Sequence, residues 1–119
     1  MPAAAEELFA GHPDGLAVYR AVAEAVRGLG ECEERVSKSQ VAFRRVRGFA
    51  YVWRPGQYLR STVPAVLSIA LPGRLGSARI KQVVHPAPRV WMHHVELQGP
   101  GEVDDEVRDW LRRAYEAAG

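Results

Sequence analysis

The sequence predicts an α+β two-layer domain: an antiparallel sheet of about six strands, covered on one face by an N-terminal and a C-terminal helix. Three observations carry this. Apolar residues recur at helical spacing near both ends of the chain. Between them the pattern changes to that of short strands. The connections between those strands are short, which favours antiparallel neighbours over parallel crossovers.

In chain order, Ala4 to Ala10 is a lead-in turn that would tuck Phe9 under the first main helix. That helix places Leu16, Tyr19, Val22, Ala23, Val26 and Leu29 on one stripe. Pro13 suits its first turn, where a missing N–H leaves no bond unmade, and Gly28 and Gly30 end it. Cys32 to Val36, Val41 to Arg45 and Phe49 to Trp53 read as three strands, the last two joined by the tight Val46-Arg47-Gly48 turn. Strand alternation predicts Phe49, Tyr51 and Trp53 on one face, with Ala50 and Val52 on the other. Arg54 to Pro64 is a loop broken by Pro55-Gly56. Ala65 to Leu71 is continuously apolar, as befits a central strand. Arg79 to Val84 and Val90 to Leu97 are two further strands. Val107, Trp110, Leu111, Ala114, Tyr115 and Ala118 form the stripe of the closing helix, with Asp104, Asp105 and Glu106 at its positive end.

The whole chain, residues 1–119, reads as one domain long enough to bury a core. No apolar run approaches the roughly 20 residues that span a bilayer. Cys32 is the only cysteine, so no internal disulfide forms, and a reducing, cytoplasmic setting is expected. The N-terminus has no basic-then-apolar secretory pattern.

Charge is distributed unevenly. Residues 35 to 94 contain 11 Lys and Arg and no acid, whereas the rest of the chain holds all 14 acids and five bases. A field of one sign concentrates partners of the other, so the middle block points to an anionic partner, with nucleic acid favoured. The sharpest candidate is the hairpin from Phe43 to Arg54. Arg44, Arg45, Arg47 and Arg54, supported by Lys38, would contact phosphate through planar, charge-assisted forks. Tyr51 and Trp53 would stack on bases. Against this, hairpin-tip charges are normally solvated, aromatics fill cores, and Arg35 or Lys81 can pair with Glu31, Glu33 or Glu34.

His93 and His94 are adjacent on a strand and face opposite sides, so they do not share a metal. His93 falls with Trp91, Val95 and Leu97 on an apolar face, as a core histidine or a pocket group. His94 falls with Met92 and Glu96. Cys32 lies among Glu31, Glu33 and Glu34, whose charge disfavours a thiolate. No serine sits in a nucleophile elbow, and the acid-free middle lacks the paired carboxylates of a metal nuclease. Pro72 to Ser77 leads into a strand, and Gly99-Pro100-Gly101 leads into an acidic helix start, so neither cradles phosphate. No catalytic residues, metal or cofactor are expected.

Four segments together carry a resemblance: Lys38 to Phe43, Arg47 to Pro55, Trp91 to Leu97 and Trp110 to Tyr115. They resemble the family catalogued as domain of unknown function 5655, over about Leu8 to Tyr115. Larger members of that family look like fusions to nuclease-like modules, which implies nucleic-acid contexts. More distantly, the order of elements is similar to frataxin-like and double-wing folds, an analogy of fold alone. The leading expectation is a non-enzymatic module that meets an anionic partner. The alternatives are a pocket for an acidic small molecule, possible enzyme included, built on His93, Lys38 and Arg54, and a protein-interaction or dimerisation domain.

Overall fold

The computed structural model describes residues 5–57 and 60–119. Tyr58 and Leu59, within the loop expected from Arg54 to Pro64, lie outside the described residues, as does Ala4 of the lead-in. Three helices, α1 (Ala5–Leu8), α2 (Pro13–Arg27) and α3 (Asp105–Ala117), flank six strands. These are β1 (Glu33–Val36), β2 (Val41–Arg44), β3 (Gly48–Trp53), β4 (Ala65–Leu71), β5 (Ile80–Ala87) and β6 (Val90–Leu97). They form one antiparallel sheet in the order β1-β2-β3-β4-β6-β5. The expected α+β class is therefore the observed one. β4, the apolar run, is an interior strand, and β5 extends to the edge past its expected end at Val84. Pro86 is tolerated there because an edge strand has one side free of ladder bonds.

Alternation assigns the two faces. Val41, Phe43, Ala50, Val52, Ala65, Leu67, Ile69, Leu71, Val95 and Leu97 are buried in one cluster with Val18, Val22 and Val26 of α2 and Val107, Leu111 and Ala114 of α3. Phe9 is buried as expected and stacks on Tyr19, ring centres 6.2 Å apart. Tyr19 ties α2 to β1 through a hydrogen bond to Glu34, which also pairs with Arg27 at 2.8 Å. Burial, reinforced by the Glu34 carboxylate, pushes the Tyr19 phenol up to about 12.

Phe49 corrects one expectation. It does not share a face with Tyr51 and Trp53 but joins the helix-side core, edge-on to Tyr115 of α3 at 5.6 Å. The cause is a bulge: Phe43 pairs with Ala50 while Arg44 pairs with Gly48, so Phe49 has no partner and its alternation slips.

Arg79, just before β5, donates to Asp104 at 2.9 Å, to Glu106 at 3.0 Å and to the Glu102 carbonyl at 2.9 Å. Asp104 is also the N-cap of α3, accepting from the Val107 N–H. The Arg79 hydrogen bond holds the Asp104 carboxyl below its ordinary value of 3.8. Because the folded pKa is the lower one, this contribution is complete above the unfolded pKa and disappears as pH falls through the folded value. Asp104→Asn keeps a capping oxygen but loses the charge. In urea titrations it is expected to be less stable than the parent above the ordinary carboxylate value of 3.8 and to converge with it as pH falls through the lower folded value.

Candidate functional site

The face of the sheet opposite the helices has no layer over it among the described residues. A row of paired residues crosses it: Ala42, Tyr51, Ser68, His94 and Gln82, on β2, β3, β4, β6 and β5. Ser68 is nevertheless only 3% exposed. Trp53, diagonal to it on β3, and His94, opposite it on β6, lean over it with their rings edge-to-face, centres 6.1 Å apart.

Ser68 holds both rings. The Trp53 indole N–H donates to Ser68 Oγ at 2.8 Å, and Ser68 Oγ lies 2.6 Å from His94 Nδ1. An indole nitrogen only donates, so the serine hydroxyl accepts from Trp53; its own hydrogen meets no other acceptor among the described residues, which assigns it to His94 Nδ1. Neutral His94 therefore carries its proton on Nε2. The hydroxyl is thereby committed to orienting the imidazole. Burial, with a smaller effect from His93, lowers the His94 pKa below the ordinary 6.5.

Around these three residues Ser39, Gln40, Tyr51 and Met92 complete a concavity of about 400 Å³. Tyr51 lies across the sheet beside it. A Cβ at Gly48 would meet the Tyr51 hydroxyl at 2.1 Å, so glycine at this position lets the ring lie down over the strand. Ser37 accepts from the Ser39 and Gln40 N–H groups and shapes the β1–β2 turn, with Lys38 exposed at its tip. Gln57 ties this turn to the end of β3 by donating to the carbonyls of Ser39 and Arg54, at 3.0 and 3.2 Å. Lys38 and Arg54 are thus brought to the same end of the sheet. The Arg54 Nε is buried with no hydrogen-bond partner among the described residues.

The other arginines expected to bind anions are placed differently. Arg44 alternates with Val41 and Phe43 and so sits on the uncovered face, partly buried, donating to the Val46 carbonyl at 3.2 Å. Arg45 and Arg47 hold the end of α3. Arg45 donates to the Tyr115 carbonyl at 2.9 Å and lies over the Tyr115 ring, 4.1 Å from its centre. Arg47 donates to the Ala117 carbonyl at 3.0 Å, and the Val46 and Arg47 N–H groups both reach the Ala118 carbonyl. Cations and donors there match the negative end of the helix. Both guanidinium groups remain exposed and retain unused N–H groups. Arg35 pairs with Glu33, and Arg79 with Asp104 and Glu106, so part of the basic block is neutralised within the fold.

His93 points into the helix-side core at 1% exposure, with the apolar neighbours expected for it. Its Nε2 accepts from the Leu75 N–H at 2.9 Å, and its Nδ1 lies 2.9 Å from the Trp91 carbonyl, to which it donates. One nitrogen thus holds the β4–β5 connection and the other is anchored to β6, its own strand. His94 is the histidine that lines the concavity. Cys32 is partly buried; burial first, then Glu34, pushes its thiol up, away from the thiolate. Asp109, one turn along α3 from Asp105, lies between Arg112 at 2.6 Å and Arg113 at 2.9 Å. Among the described residues no three His, Cys, Asp or Glu side chains converge, and no helix is long and apolar enough to cross a membrane.

The chain belongs to the family described as Domain of unknown function (DUF5655), which it matches over residues 5–118. No curated protein and no solved structure matches it.

Ser68→Ala removes the hydroxyl that bonds both rings, and urea denaturation is expected to show a loss of about 1–3 kcal/mol. In the parent, the His94 ring-proton NMR titration is expected to have its midpoint below 6.5, the ordinary value. The depressed pKa means that the stability tied to neutral His94 is complete above the unfolded pKa and is lost as pH falls through the folded value.

Proposed function

We propose that the uncovered sheet face binds single-stranded nucleic acid without catalysing a reaction on it. The observation that carries this reading is the placement of Tyr51, Trp53 and His94, all partly exposed, around one concavity on a face with no helix over it. Every base has a π-face, so aromatic rings on an open sheet receive bases of any sequence. The ring of Tyr51 lies along the sheet and offers its face, and Trp53 forms the adjoining wall.

Phosphate contacts would come from the cations around the aromatics. Lys38 and Arg54 stand at one end and Arg44 lies on the face itself, with Arg45 and Arg47 at the hairpin tip adding field beyond their hold on α3. No Asp or Glu side chain lines the concavity, although Glu33 stands opposite Arg44 and Glu96 lies on the same face. Single strands suit the surface better than duplex, because the stacking rings sit flush on a sheet and present nothing to enter a groove.

Fluorescence anisotropy against labelled single-stranded and duplex oligonucleotides, across a salt series, tests the reading. The expected result is preference for single strands, with a dissociation constant on the order of 10⁻⁴ to 10⁻⁶ M near physiological salt that weakens steeply as salt rises. Tyr51→Ala is expected to cost about 1–3 kcal/mol of binding. Absence of binding at low salt would overturn the proposal and leave an acidic small molecule as the occupant of the same concavity.

A further inference from the structure

A second concavity, of about 340 Å³, adjoins the first, and Tyr51 and Met92 line both. The two ends of this joint groove differ in chemistry. At one end stands the Trp53–Ser68–His94 chain, whose hydrogen-bond order leaves the Nε2–H of His94 as the donor that this residue offers. Among the described residues, no protein acceptor takes it. Ser39 and Gln40 add further polar groups beside it.

At the other end are Arg47 and Arg89. Arg47 gives one N–H to the Ala117 carbonyl and keeps the rest of its fork. Arg89 is exposed in the two-residue turn between Ala87 and Val90, which closes the β5–β6 hairpin. It has no ion pair among the described residues. Between the ends lie Ala70 and Val90, and the second half runs round the end of the sheet to Phe49 and Leu71 and to Ala114 and Ala117 of α3, an apolar lining. No Asp or Glu side chain lines either half.

A ligand complementary to this groove has a flat, hydrogen-bonding head and an anionic tail. We propose that the groove takes one nucleotide unit in a single orientation, its base against Trp53 and His94 and its phosphate at Arg47 and Arg89. The base would offer a ring nitrogen or carbonyl oxygen to the His94 Nε2–H. This deepens the proposed function and rests on it in one respect: the same face would receive each unit of a bound strand. It adds a fixed polarity, and it assigns phosphate recognition to Arg89, which lies outside the arginine hairpin.

Isothermal titration with adenosine 5′-monophosphate and uridine 5′-monophosphate, their nucleosides and inorganic phosphate tests this. The parent is compared with Arg89→Gln and His94→Phe, each checked for the native fold by NMR. The monophosphates are expected to bind at least tenfold tighter than either the nucleosides or phosphate. Arg89→Gln should lose about tenfold on the monophosphates and nothing on the nucleosides, the worth of a charge-assisted bond at one end only. His94→Phe keeps a flat ring but lacks the donor, and it should weaken nucleosides and monophosphates alike.

Equal binding of nucleoside and monophosphate, or an Arg89→Gln variant as tight as the parent, would overturn the polarity even where oligonucleotides bind. Monophosphate binding with the expected variant losses, but no oligonucleotide binding, would keep the groove and overturn the single-strand reading. No binding of either would overturn both.

Discussion

The constraint that organises this fold is that two helices cover only one side of a six-stranded sheet whose interior strand is apolar on both. On the helix side the solution is a continuous core reaching from Phe9 to Ala118. On the other side β4 still presents Val66, Ser68 and Ala70, and the sheet must shield them with its own side chains. Trp53 and His94 do this by leaning over the strand from either side, and Tyr51 by lying down across Gly48. A buried hydroxyl without partners would be costly there. Ser68 instead gives and receives one hydrogen bond, which fixes the rings that bury it. The shielding and the candidate binding surface are therefore the same atoms.

Most of the architecture was legible from the chain. The helix stripes, the interior character of Ala65 to Leu71, the burial of Phe9 and the inward face of His93 all follow from periodicity, because each depends on one residue's immediate pattern. Phe49 was not legible, because a bulge between β2 and β3 is a property of two strands in register, and nothing in Gly48-Phe49-Ala50 announces the slip. Ser68 shows the same limit more sharply. A single serine in an apolar run looks like a small strand residue. Its importance arises only when β3 and β6 both lie beside β4, which requires β6 to pair inside β5, contrary to chain order. Tyr51, Trp53 and His94 were each singled out, but their meeting around one serine depends on that topology.

The arginines illustrate a different point. Sequence shows where positive charge is concentrated but not which carbonyl or carboxylate each fork reaches. Within one acid-free segment, Arg79 binds the start of α3 and Arg45 and Arg47 bind its end. Charge that looked like a single surface is thus divided between holding the last helix at both termini and facing outward. The acidic flanks are what the basic middle first meets, since Glu33, Asp104 and Glu106 all find partners among its arginines within the fold. What remains for an external anion is the smaller set around the uncovered face.

The grip of the β2–β3 turn on α3 also bears on how the chain reaches this state. Arg45 and Tyr115, like Arg47 and Ala117, are 70 residues apart. Contacts across so long a loop form only after its closure entropy has been met, and topologies dominated by them fold slowly. The local hairpin can zip early, with the Arg45 N–H on the Arg47 carbonyl, but the Arg45 and Arg47 guanidinium groups have no helix carbonyls to hold until the final helix arrives. Docking of α3 supplies those carbonyls and buries Phe49, the residue of the bulge, against Tyr115. The last helix and the strand that carries Tyr51 and Trp53 to the opposite face are in this way held by the same turn.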